Sequence, residues 1–180
     1  MLTLRPYVVP NFWTALGASA KLRQLERRGF PANIRNWRFV TLTMDRVRYP
    51  DPSEAYEVGK RHLRQFLYEL KKTYRFTRSC WKLEFHKADT ERDDQKWPHW
   101  HLLIDYKRPI QYSDIDALWG KGRTEIKGVT DSGFKYLFKY VTKSVADLPE
   151  WITSRRSVRL FQMSKGFLPA SGGANEKQMP

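Results

Sequence analysis

The stretch Pro98-His99-Trp100-His101-Leu102-Leu103-Ile104 has the length and alternation of a β-strand. In an extended chain, His99 and His101 project from the same face. The alternate side chains, which are apolar, point to the other face and toward a core: Trp100, Leu102 and Ile104. Because two imidazoles on one strand face can share a metal ion, the stretch predicts a strand with a core side and a ligand side.

The segment just upstream supplies a third candidate ligand. From Trp81 to His86, apolar residues alternate with Lys82, Glu84 and His86. If this strand pairs with the histidine strand through the connection 87–98, Glu84 comes alongside the histidines. Two imidazoles and one carboxylate leave coordination positions open for substrate oxygens, as a catalytic metal requires. His86 shares the polar face and is a reserve ligand or a phosphate contact.

A second polar constellation lies on the amphipathic segment Phe134 to Val145. At about 3.6 residues per turn, four of its side chains fall within one arc of roughly 100°: Tyr136, Lys139, Tyr140 and Lys143. The two tyrosines are about 6 Å apart along the helix axis, so both hydroxyls can reach one reaction centre in turn. The lysines favour the tyrosinate form. A solvated basic helix with surface tyrosines would have the same pattern.

Composition limits the class of protein. The chain has 180 residues, of which 41% are hydrophobic and 14% aromatic, which suffices for one domain with a real core. It carries 33 lysines and arginines against 19 acids, a formal net charge of +14. A charge this far from zero points to a polyanionic partner, although ribosome-like or membrane-surface binding would share the signal.

The sequence also predicts the compartment. No apolar run approaches membrane-spanning length, and the segment from Met1 to Pro6 lacks a secretory hydrophobic region. The single cysteine, Cys80, excludes an internal disulfide and suits a reducing compartment. We therefore expect a cytoplasmic protein without a membrane partner, in a bacterial or infected host cell, and a monomer.

Three motifs in order make the chain resemble the two-tyrosine HUH endonucleases, the rolling-circle replication initiators (Rep proteins) of single-stranded DNA phages and some bacterial plasmids. Phe39 to Met44 is similar to the family's hydrophobic first strand with threonines, and Pro98 to Ile104 to its histidine strand. Tyr136 to Lys143 matches the signature Tyr-x-x-Lys-Tyr-x-x-Lys at each defined position, and Arg159 to Phe167 resembles a later strand and turn. The resemblance covers about residues 37 to 167.

The resemblance implies a mechanism. His99, His101 and Glu84 would hold one Mg or Mn ion, and Tyr136 and Tyr140 would be the nucleophiles, beside the catalytic lysines of their helix, Lys139 and Lys143. The expected product is a 5′-phosphotyrosine with a free 3′-hydroxyl. Alternating tyrosines would let the enzyme initiate and terminate rolling-circle replication. The implied partners are a single-stranded DNA origin and a host helicase and polymerase.

The order of predicted elements indicates an α+β domain with a mainly antiparallel sheet. The fold implied by the resemblance is an RRM-like or ferredoxin-like sandwich, with a central sheet of about five strands and flanking helices. We expect an N-terminal extension with a helix at 1–36, the endonuclease domain at 37–168 and a disordered tail at 169–180.

Further DNA contacts are predicted from position alone. Trp97 stands beside the histidines and is the best candidate for stacking on an unpaired base. The other candidates are polar or basic residues near the motifs: His86, Thr41, Thr43 and Lys165. For the two threonines, a purely structural role in the first strand is the alternative.

Three other functions remain open. A non-catalytic single-stranded nucleic-acid-binding module would explain the charge and the aromatic residues, but not the histidine pair or the doubled Tyr-x-x-Lys. A relaxase or transposase with one tyrosine would leave the second tyrosine without a role. A hydrolytic nuclease with the same metal would release free 5′-phosphates in place of protein-linked DNA.

Overall fold

The computed structural model describes residues 15–29, 36–76, 78–85, 96–106, 108–129, 148–155 and 158–168. Within these ranges it has four helices: α1 (Ala15–Arg28), α2 (Pro52–Tyr74), α3 (Tyr112–Trp119) and α4 (Glu150–Thr153). The described strands are β1 (Trp37–Thr43), β2 (Ser79–Phe85), β3 (Pro98–Asp105), β4 (Thr124–Gly128) and β5 (Phe161–Met163).

The strands form one five-stranded sheet in the order β4-β1-β3-β2-β5, and every pairing in it is antiparallel. The histidine strand β3 lies at the centre, between β1 and β2. The predicted α+β class with a central antiparallel sheet is therefore confirmed. The prediction rested on alternating side chains, which fix the two faces of a strand.

One face of the sheet packs against α2. This helix begins after Asp51, whose side chain accepts hydrogen bonds from the backbone of Ser53 and Glu54, an ordinary N-cap arrangement. Its apolar side chains are buried against the sheet residues that the alternation assigned to the core, among them Val40, Leu42, Leu83, Trp100 and Leu102. A Cβ atom on Gly59 would lie 2.2 Å from Cη2 of Trp100, so only glycine permits this close approach of α2 to β3.

The other face of the sheet is divided along the strands. At one end, Leu25 of α1 packs with Trp37, Cys80, Leu103 and Phe167 in a second apolar cluster. Leu25 falls within the segment 1–36 that the sequence assigns to an N-terminal extension, and it is only 1% exposed. At the other end of the same face, the strands carry polar side chains. The polar end is where the candidate site lies.

In the described part of the chain, no helix is long and apolar enough to cross a membrane.

Candidate metal centre

The register of the sheet brings the predicted ligands together. Between β2 and β3, Glu84 pairs with His99 and Lys82 pairs with His101. On the opposite side of β3, Thr41 of β1 pairs with His101. Because paired residues in an antiparallel sheet project from the same face, these five side chains form one polar group. The structure thus places Glu84 beside both histidines, as the alternation predicted.

The three candidate ligands are close and largely shielded from solvent. Oε2 of Glu84 lies 3.5 Å from Nε2 of His99 and 3.3 Å from Nε2 of His101. One ligand atom from each of the three residues lies within 4.8 Å of the others. Ligand atoms around a divalent ion sit about 2.1 Å from it, so neighbouring ligands are roughly 3 Å apart. The cluster is therefore a group that can hold a divalent metal ion after small side-chain adjustments.

The protonation states of the cluster suit a cation. Burial alone would raise the pKa of the Glu84 carboxyl, but hydrogen bonds with His101 and His99 and the nearby Lys82 outweigh it and hold this pKa well below its usual range. Burial lowers the pKa of His99, against the opposing effect of Glu84. At neutral pH the carboxylate is thus ionised and the His99 imidazole is neutral, which are the forms that bind metals.

The orientation of His101 is fixed from behind. Oγ1 of Thr41 lies 3.1 Å from Nδ1 of His101, and the Phe39 ring lies against the imidazole with centroids 5.1 Å apart. Whichever of the two groups donates, this hydrogen bond occupies Nδ1 and leaves Nε2 directed toward Glu84. Hydrogen bonds of this kind orient metal-binding histidines in many proteins.

Thr41→Val should weaken Mn²⁺ binding by about 10- to 100-fold, the usual loss when a hydrogen bond behind a metal ligand is removed. The valine keeps the shape of the side chain but has no hydroxyl for Nδ1 of His101. The matched control is Thr43→Val on the same strand and face, because the Thr43 hydroxyl donates to the backbone carbonyl of Arg123. Isothermal titration with MnCl₂ measures both; equal losses in the two variants would contradict the assigned role of Thr41.

The structure adds Lys82 to the predicted set. Its side chain is 1% exposed, and its Nζ makes an ion pair with Oε1 of Glu84. Burial lowers the pKa of Lys82 to about 8, against the opposing effect of Glu84. The alternation of β2 placed Lys82 on the polar face, but lysines on such a face are ordinarily solvated, so the sequence carried no signal of this burial.

The DNA contact predicted for Trp97 is wrong. Trp97 is 5% exposed and packs in the cluster between α2 and the sheet, and its Nε1 donates to the backbone carbonyl of Tyr49 at 3.1 Å. An indole buried on this scale has no free face for a base. Trp97 precedes the first residue of β3, so the strand alternation that governs His99 does not extend to it.

The remaining predicted contacts divide into three groups. The hydroxyls of Thr41 and Thr43 are engaged within the protein, as given above. Lys165 is exposed in the turn after β5, next to Ser164, whose backbone NH donates to the carbonyl of Ser79. Ser79 lies five residues from Glu84 along β2, roughly 16 Å at strand spacing, so Lys165 belongs to the other end of the sheet.

Several predicted residues lie outside the described ranges. These are the proposed nucleophiles and lysines of one segment, and the reserve ligand that follows β2: Tyr136, Lys139, Tyr140, Lys143 and His86. Their roles stay predictions.

Comparison with known proteins gives one match. The model of a family described as replication-associated proteins of the ORF2 type matches residues 37–145, more than half of the chain. The matched range includes the three candidate ligands and both tyrosines. Neither the search of the curated proteins nor that of the solved structures returned a match.

Proposed function

From the chain's membership of the ORF2-type family of replication-associated proteins, we propose that it is a metal-dependent nickase that cuts and rejoins single-stranded DNA through a 5′-phosphotyrosine. In this proposal it initiates and terminates rolling-circle replication as a two-tyrosine HUH endonuclease. The family is one of replication-associated proteins, and the chemistry proposed here goes beyond that membership.

The observation that carries the proposal is the cluster of Glu84, His99 and His101 on one sheet face. Three ligands leave part of the coordination sphere of a divalent ion open. A bound Mg or Mn ion would neutralise charge on the scissile phosphate and align it for in-line attack. Oxygen and nitrogen ligands in this mixture suit Mn at least as well as Mg, so we expect activity with Mn to equal or exceed that with Mg.

In the proposed reaction, the residues of the chain supply the nucleophile and hold the ligands. The phenolic oxygen of Tyr136 or Tyr140 bonds to the phosphorus, the bond to the 3′ oxygen breaks, and the phenolic proton ends on the released 3′-hydroxyl. One phosphodiester replaces another, so the step is reversible and needs no nucleotide cofactor. The second tyrosine can then attack a regenerated origin and pass the first 5′ end back to a 3′-hydroxyl, which closes a circle.

The overall charge supports a nucleic-acid substrate. With a formal net charge of +14, the protein attracts phosphodiesters from a distance, and this attraction weakens with salt. Family membership favours a replication origin as the target. A host helicase and polymerase are the partners that would extend the free 3′-hydroxyl, in this proposal in the cytoplasm and with a monomeric protein.

The test is to incubate the protein with a pool of single-stranded oligonucleotides in MnCl₂ and to resolve the products on a denaturing gel. We expect a protein–DNA band that survives SDS in Mn and disappears with EDTA. Sequencing the trapped DNA would give the target site. Parallel reactions with MgCl₂ would determine the preferred ion, and strict dependence on Mg would contradict the expectation stated above.

Two other results would support rival functions. Tight binding that EDTA does not affect, without any covalent band, would support a non-catalytic binding module. Metal-dependent cleavage with free 5′-phosphates would support a hydrolytic nuclease that uses water in place of tyrosine. In both cases the proposed phosphotyrosine mechanism would be wrong.

A further inference from the structure

The buried ion pair between Lys82 and Glu84 divides the two oxygens of the carboxylate between different partners. Oε1 accepts a hydrogen bond from Nζ of Lys82, while Oε2 faces Nε2 of both histidines. Only one carboxylate oxygen is therefore turned toward the candidate metal position. Lys82 is also the one lysine that is buried among the described residues.

A buried lysine at this position has an electrostatic consequence. It is separated from the metal ligands only by the carboxylate that it contacts, and it adds a positive charge beside a site for a divalent cation. Cations held a few ångströms apart in a partly buried site repel each other strongly, because little solvent lies between them to screen the charges. Lys82 thus fixes the direction of Glu84 but opposes the binding of the ion.

We propose that Lys82 is a positioning residue that keeps the resting affinity of the cluster for its ion low, so that the ion binds tightly only together with a DNA phosphate. This inference rests on the proposed function. Glu84 alone supplies one negative charge against the two of the ion and the one of Lys82. The excess of two positive charges is offset when a phosphodiester enters the open coordination positions.

Lys82→Met tests the proposal, because methionine fills a similar volume without the charge. We expect the free variant to bind Mn²⁺ at least about tenfold more tightly than the unchanged protein, since the lost repulsion exceeds the loss of order in Glu84. A variant that merely disturbed the structure would bind Mn²⁺ more weakly, so the sign of the change separates the two explanations. Lys82→Gln provides a second neutral variant if methionine destabilises the strand.

The matched control is Lys127→Met. Lys127 projects from the same sheet face on β4, is exposed and pairs with Glu125. Its removal changes the net charge of the protein by the same amount as Lys82→Met. Because solvent and salt screen an exposed charge, we expect Mn²⁺ affinity to change by less than about twofold.

The measurement is isothermal titration with MnCl₂, without DNA and with a pool of single-stranded oligonucleotides. All proteins carry Tyr136→Phe and Tyr140→Phe, so that the tyrosines cannot cleave the DNA. DNA should tighten Mn²⁺ binding to the protein with Lys82 more than to Lys82→Met. Unchanged or weaker Mn²⁺ binding by both neutral variants would overturn the inference. Absence of Mn²⁺ binding with Lys82 present, with or without DNA, would instead overturn the proposed metal centre.

Discussion

Replacing both Tyr136 and Tyr140 with phenylalanine is expected to abolish the covalent protein–DNA band completely. Phenylalanine keeps the aromatic ring but removes the oxygen that would bond to phosphorus, so no adduct can form through these positions. Binding of Mn²⁺ and of single-stranded DNA should persist, because the ligands of the candidate metal centre lie on other elements. The denaturing gel measures the adduct, and fluorescence anisotropy of a labelled oligonucleotide measures binding.

The single variants distinguish one nucleophile from two. If the tyrosines alternate, each single Tyr→Phe variant retains part of the cycle, so initial nicking or the later joining reaction survives. Equal loss of every cleavage and joining event in either single variant would contradict alternation. Tyr68→Phe is a suitable control, because Tyr68 is 66% exposed on α2 and has no proposed role. An adduct that persists in the double variant would place the nucleophile elsewhere.

His101→Ala is expected to lower the nicking rate by roughly 10²- to 10⁴-fold, the size of a loss of several kcal/mol in transition-state stabilisation. His101 supplies one of three ligands, and its Nε2 lies 3.3 Å from Oε2 of Glu84. The rate of adduct formation at saturating oligonucleotide measures the effect. Titration with MnCl₂ should show the parallel loss of ion affinity.

His62→Ala separates the loss of a ligand from the loss of any histidine. His62 lies on α2, and its Nε2 hydrogen-bonds with the backbone carbonyl of Leu118 at 3.0 Å. We expect this variant to keep the nicking rate within a few-fold. If His101→Ala and His62→Ala retained equal activity in Mn, the metal centre would not be the site of catalysis.

The sequence predicted the site well where strand alternation applied. His99 and His101 had to share a face as soon as their segment was extended, and Glu84 had to share a face with Lys82. Their meeting depended on how the two strands pair, which the sequence left conditional on the connection 87–98. The structure pairs Glu84 directly with His99, and this register completes the cluster.

Burial was harder to predict than the direction of a side chain. Lys82 was assigned to the polar face correctly, but its burial depends on the strands and side chains packed around it. Trp97 was mispredicted because closeness to His99 in sequence was taken as closeness on the sheet surface. A large indole gains more from packing and from its hydrogen bond to Tyr49 than from exposure beside the strand.

The contribution of α1 to the fold also escaped prediction. Its basic and apolar residues form a mixed pattern, which gave no reason to attach the helix to the sheet. In the structure, Leu25 packs with Trp37 and Leu103 on the same face as the metal ligands, at the apolar end. Such long-range contacts depend on the tertiary arrangement, and local periodicity does not encode them.

The central position of β3 bears on how the protein acquires its ion. The strand that carries His99 and His101 has a hydrogen-bonded neighbour on both sides and buried residues on both faces. Backbone amides in such a strand exchange with solvent only when the whole domain opens. The ligand set is therefore assembled before any ion arrives, unlike that of small zinc-dependent domains, which fold around their metal. Loading and stripping of the ion should be reversible in the native protein, and a chelator should inactivate it without denaturing it.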